Sequence, residues 1–168
     1  ADHGQVRDEA PVTLNSATFH FNFFDDTVGP LSLTNSSITG TVNGLNYSTL
    51  GRLNSDAART IVSNGDSAIS TARMFAEGNV PIDVQSGSLN IGSQLLDFST
   101  AMSLTKSGAG TLTLSGGTSN IFTGTTTVNG GALILNKTPG SAADGYGSAV
   151  GHLTANFSTV GLGQNWQI

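Results

Sequence analysis

Three histidines, His3, His20 and His152, are the first residues to weigh as metal ligands or acid–base groups, and their separation gives them no shared chemistry. Structural and catalytic metal ions draw ligands from short, regular intervals, and no His-x-x-His or His–carboxylate interval of that kind occurs. His20 alternates with Phe19 and Phe21, which makes it an outward-facing strand residue. Paired carboxylates can run acid–base catalysis or bind calcium. The adjacent acids are Asp8-Glu9 and Asp25-Asp26, and both read as turns. Gly65-Asp66 and Asp144-Gly145 are isolated, with no G-G-x-G-x-D nonapeptide around them. Nucleophile elbows and phosphate-cradling loops need a strand–turn–helix setting. The nearest glycine cluster, Gly108-Ala109-Gly110, lies between two short β-runs and reads as a turn. No catalytic residue, cofactor or metal is therefore expected.

Composition narrows what kind of surface can exist. Of the 168 residues only 10% are Asp, Glu, Lys or Arg, against about 25% in an average globular domain, so the solvent face has to be Thr, Ser and Asn. The 22 glycines and 4 prolines suit many short strands joined by tight turns. A net charge of −5 provides no basic footprint for nucleic acid. The absence of cysteine excludes disulfides and thiolate metal sites while leaving the compartment open. No apolar run of about 18 residues is present to cross a membrane as a helix. The first residue is alanine without a basic-then-apolar leader, so the chain is expected to be processed or excised from a longer product.

The elements come next. Thr111-Leu112-Thr113-Leu114 and Ala132-Leu133-Ile134-Leu135 each place alternate apolar side chains on one face, and glycines between them allow reversal where positive φ is needed. The whole stretch runs Leu104-Thr105-Lys106-Ser107-Gly108-Ala109-Gly110-Thr111-Leu112-Thr113-Leu114-Ser115-Gly116 and then Phe122-Thr123-Gly124-Thr125-Thr126-Thr127-Val128-Asn129-Gly130-Gly131-Ala132-Leu133. It resembles the autotransporter-associated β-strand repeat, a passenger-associated repeat of secreted bacterial surface proteins. The family pattern is close to L-T-K-x-G-x-G-T-L-T-L-S-G followed by Y/F-T-G-x-T-T-V-N-x-G-x-L. Gln5-Val6-Arg7-Asp8-Glu9-Ala10-Pro11-Val12-Thr13-Leu14-Asn15, with Thr27-Val28-Gly29-Pro30-Leu31-Ser32-Leu33-Thr34 after it, is similar to a second phrase of that family. The resemblance covers roughly three quarters of the chain. It implies an all-β, parallel β-solenoid (β-helix) forming a single domain over residues 1–168, and a secreted, extracellular or bacterial cell-surface location.

Residues 44–81 depart from the pattern and are expected to be a lateral insertion. Ser55 could cap a short helix there, and Ala68, Ile69, Ala72 and Phe75 recur at helical intervals, while Ile61-Val62 and Ala68-Ile69 are equally compatible with strands. Elsewhere alternation marks a core stack of Phe19, Phe21, Phe23, Leu112, Leu114, Val128, Leu133 and Leu135.

A solenoid exposes unpaired backbone groups at its two ends. Gln164-Asn165-Trp166-Gln167-Ile168 matches the beginning of the phrase that Gln5-Val6-Arg7 continues, and neither end carries an obvious cap. These residues, with Val12, are expected to form a head-to-tail contact to another copy or to the next unit of a tandem array. The function expected is that of a non-enzymatic structural module, a fibre or filament subunit. Two alternatives belong to other classes. A glycan-binding adhesin passenger module would need Tyr47, Tyr146 or Trp166 exposed on one groove facing a surface glycan. A polysaccharide-degrading β-helix enzyme would need charged groups converging on one long face, and six Lys and Arg in total disfavour a polyuronate lyase.

Overall fold

The structure, a computed structural model, describes residues 10–21, 28–40, 49–53, 60–138 and 152–163. Fifteen strands occur among them: β1 (Val12–Asn15), β2 (Thr18–Phe21), β3 (Leu31–Thr34), β4 (Ser37–Gly40), β5 (Thr49–Leu53), β6 (Ile61–Asn64), β7 (Ser67–Ser70), β8 (Arg73–Val84), β9 (Ser88–Ile91), β10 (Gln94–Ser107), β11 (Thr111–Gly116), β12 (Thr125–Val128), β13 (Ala132–Lys137), β14 (His152–Ala155) and β15 (Thr159–Leu162). Each strand pairs in parallel with its counterpart one coil away. One sheet runs β1-β3-β6-β8-β10-β12-β14 and the other β2-β4-β7-β9-β11-β13-β15. The chain is a parallel β-solenoid, with successive coils crossing first one sheet and then the other.

Alternation along each strand sends one parity inward, and parallel register stacks that parity into columns. In the first sheet Val12, Leu31, Ile61, Ile82, Lys106 and Val128 follow one another as register partners. In the second, Phe19, Ile38, Ile69, Ile91, Leu114 and Leu135 do the same. From Ile38 to Leu135 the second column is fully buried. Each such side chain contributes about 1.5–3 kcal/mol relative to exposure, and it can do so only where a coil lies on either side.

Residues 60–81 continue both sheets. Ala68 and Ile69 lie in β7 and Phe75 in β8, so the helical spacing of these residues does not produce a helix. Ile69 is fully buried between Ile38 and Ile91, and that column decides the matter. Ser55 lies outside the described residues. β5 joins the first sheet off its main path. β5 and the first half of β8 pair through Thr49↔Arg73 and Leu50↔Met74, and Met74 pairs in turn with Leu95 in the first half of β10. β8 then turns into the main sheet near Gly78, whose φ is +63°. β10 makes the corresponding turn between Asp97 and Met102, clamped by the Asp97 carboxylate. Met102 N–H donates to it at 2.7 Å and the Thr123 hydroxyl at 2.7 Å. Burial pushes the Asp97 carboxyl up, but the Met102 and Thr123 donors outweigh it and hold the group below the usual aspartate range.

Candidate functional site

The segment with the densest sequence signal, residues 104–135, forms the end of β10, all of β11 and β12, and the start of β13, which runs on to Lys137. Leu104, Leu112, Leu114, Val128, Leu133 and Leu135 are fully buried, and so are two lysines, Lys106 and Lys137. Lys106 extends from an inward position of β10 to a corner of the solenoid. Its Nζ donates to the carbonyls of Ser107 (2.9 Å), Gly108 (3.0 Å) and Gly130 (3.0 Å). Two of these acceptors belong to its own corner and one to the corner of the following coil, so a single ammonium ties two coils together. Burial pushes this lysine below its usual range, with the Asp83 carboxylate opposing the shift.

The corner can close this tightly because of its glycines. Gly108 has φ +76°, and a Cβ there would lie 2.6 Å from the Val84 carbonyl carbon and 2.6 Å from the Asp83 carboxylate. The alternation of Leu104 and Lys106, and of Leu133, Leu135 and Lys137, already places both lysines at inward parity. Neither lysine is among the core-stack residues expected from the sequence, although parity is the signal that places them there; lysine is seldom buried without partners.

Lys137, the register partner of Gly116, reaches back to donate to the Ser93 carbonyl at 2.7 Å. Desolvation lowers its pKa to about 8. Between that value and the ordinary lysine value of 10.5 the unfolded chain holds a proton that the folded chain has released. Stability therefore rises as pH climbs from about 8 toward 10.5, by an amount on the order of 2–3 kcal/mol. Urea unfolding at neutral pH and near pH 10 measures this, and the rise should shrink sharply in Lys137→Met.

Residues 104–135 match the family model of the passenger-associated-transport-repeat. The chain carries a passenger-associated-transport-repeat. In this repeat the lysine and glycines of the family pattern form the inter-coil clamp just described, and the alternate leucines form the buried columns. The repeat implies a secreted or surface protein. No curated protein and no solved structure gives a significant match to the chain.

The remaining expected site residues divide between the end coils and positions outside the described residues. Gln5, Val6, Arg7, Phe23, Tyr47, Tyr146 and Gln164, Asn165, Trp166, Gln167 and Ile168 lie outside them, as does the Phe21 side chain. Val12 and Leu14 in β1 and Phe19 in β2 are half-buried against the core, as are Leu153 in β14 and Val160 in β15. The inward columns thus continue into both end coils, where Leu162 is 55% exposed.

Backbone direction in the first coil is also fixed. Val12 N–H donates to Pro30 O at 2.9 Å and Ser16 N–H to Thr34 O at 2.8 Å. Val12 therefore bonds to the second coil, and by alternation the backbone groups of Thr13 and Asn15 face away from it. His20 is exposed, with Nδ1 2.7 Å from the Thr39 hydroxyl, and His152 is exposed on β14. Among the described residues no group of three or more His, Cys, Asp or Glu is placed to hold a metal ion, and no helix is long and apolar enough to cross a membrane.

Proposed function

We propose that this chain is a structural rod segment of a secreted passenger, which stacks end to end on a further coil of the same kind, supplied by a second copy or by the next unit of a tandem array. The observation that carries the reading is the continuation of the apolar columns into the two end coils. Val12, Leu14 and Phe19 open one end, and Leu153, Val160 and Leu162 open the other. A stacked coil would bury these side chains and pair the edge groups of β1, β2, β14 and β15. Such a contact is heterologous, so it propagates as a fibre instead of closing into a dimer. The rod reading assigns the molecule no catalytic step. The uncharged Thr, Ser and Asn surface supports it by allowing close lateral approach with little repulsion.

Proline at Thr13 and at Ala155 tests the contact, because by alternation neither N–H serves the internal ladder. Sedimentation velocity and electron microscopy of the parent chain should show rods that lengthen with concentration. The Thr13→Pro, Ala155→Pro variant should remain single units with unchanged β-rich circular dichroism. A parent chain that stays monomeric at high concentration, together with a tandem fusion that melts no higher than one unit, would overturn the reading.

A further inference from the structure

A groove of about 390 Å³ crosses the corners of the first three coils, between the two sheets. Its polar lining consists of hydroxyls, an amide and one carboxylate, set among the apolar surface of Ala17 and Ala68. Its floor is a buried serine relay. Ser36 Oγ donates to Thr34 O at 2.7 Å and accepts from Ala17 N–H at 3.2 Å, while Ser36 N–H donates to Ser67 Oγ at 3.2 Å. On its rim the Thr18 and Ser37 hydroxyls lie 2.8 Å apart. Ser16 and Asn35 occupy the corners of the first and second coils in left-handed conformation, at φ +50° and +46°.

Two groups on adjacent coils are only half used. Asn35 Oδ1 accepts from Asp66 N–H at 3.2 Å, so the Asn35 NH₂ keeps both donors. Asp66 Oδ1 accepts from Ser88 N–H at 3.0 Å and from Ser88 Oγ at 2.8 Å, so Oδ2 keeps its acceptor capacity. Both side chains are exposed at the groove.

From this arrangement we infer that the corner groove is a binding site for a neutral, extended oligosaccharide lying along the solenoid axis. An amide donor beside a carboxylate acceptor is complementary to a pair of neighbouring sugar hydroxyls, each of which both donates and accepts. The rim hydroxyls of Ser16 and Thr18 extend the same pattern to the first coil. The groove holds one carboxylate and no lysine or arginine, so uronates and sulfated or phosphorylated glycans are disfavoured by charge. Coils repeat at about 4.7–4.9 Å, close to the advance per residue of an extended β-1,4-linked glycan, so one sugar can face each coil. The groove meets the end-to-end contact at the first coil, where Thr18 belongs to β2, but Asn35 and Asp66 lie on the second and third coils, so their response reports the groove whether or not the ends associate.

The test is an amide NMR titration of the labelled full chain with cellohexaose, and in parallel with an oligogalacturonate of the same length. Binding as inferred shifts the amides of Ser16, Asn35 and Asp66 with cellohexaose and leaves them unmoved with the charged probe. Asp66→Asn keeps an oxygen for Ser88 but turns the free acceptor into a donor. It should weaken binding at least about tenfold with the melting temperature unchanged. Thr18→Arg, which lays a long side chain across the groove, should do the same by obstruction. No shifts with cellohexaose at millimolar concentration, shifts confined to another surface, stronger binding of the oligogalacturonate, or full affinity in both variants would overturn the inference.

Discussion

Replacing Gly131 by alanine is expected to destabilise the protein by about 2–5 kcal/mol. Gly131 sits at a corner with φ +61°, and a Cβ there would overlap the Gly110 carbonyl oxygen and stand 2.6 Å from that of Gly108. Both neighbours are backbone of the preceding coil, so neither can swing aside as a flexible side chain would. A left-handed alanine costs roughly 1–2 kcal/mol, and forced separation of packed groups costs about 1–3 kcal/mol more. The adjoining Gly130 carbonyl is an acceptor for Lys106 Nζ, so moving the corner also strains the lysine clamp. Denaturant unfolding gives the value directly. A loss below about 1 kcal/mol would show that coils can part at the corner without penalty. Gly117 supplies the control: nothing lies within 4 Å of the position a Cβ would take there, and Gly117→Ala should be close to neutral.

Truncating Leu114 to alanine should cost about 2–5 kcal/mol through lost burial and the cavity left behind. Leu114 is fully buried, with Ile91 and Leu135 as its register partners on either side. The columns hold because each side chain has a neighbour above and below, so the same change at Leu162, which is 55% exposed in the last described coil, should cost much less. Equal losses at the two positions would mean that stability does not come from stacking. An unchanged midpoint in Leu114→Ala would contradict the inward register of β11.

How far the sequence discloses this molecule depends on which physical signal each segment carries. Thr111–Leu114 and Ala132–Leu135 alternate cleanly and are bounded by glycines, so their strands, their turn and their inward leucines are legible from residue type alone. Around Ala68, Ile69, Ala72 and Phe75 the periodicity is ambiguous. What makes Ile69 a strand residue is the partnership with Ile38 and Ile91, which lie far from it in sequence. The pairing of β5 with β8, and of the first halves of β8 and β10, depends on similarly distant partners and leaves no local trace. The buried lysines were legible by parity and hidden by expectation. The corner groove was the least visible of all. Asn35, Ser36 and Asp66 share no signal along the sequence, and only the stacking of three coils sets them side by side.

The two corners of each coil are not equivalent. Strands of the first sheet pass to the second through a few residues, as at Ser16-Ala17, Asn35-Ser36 and Gly130-Gly131. Yet hydrogen-bonded partners in neighbouring coils are separated by anything from 19 to 31 residues along the chain. The variation is therefore taken up on the return path, where the lateral strands of β5, β8 and β10 also lie. One flank of the solenoid is fixed in length by short corners that each carry a left-handed residue, Ser16, Asn35, Gly65, Gly87, Gly108, Gly131 and Phe157, while the opposite flank absorbs insertions without disturbing register. New loops gained by duplication and drift would accumulate along that single flank, spaced by the coil repeat like teeth on a comb, and the flank of short corners would keep its spacing through every such change.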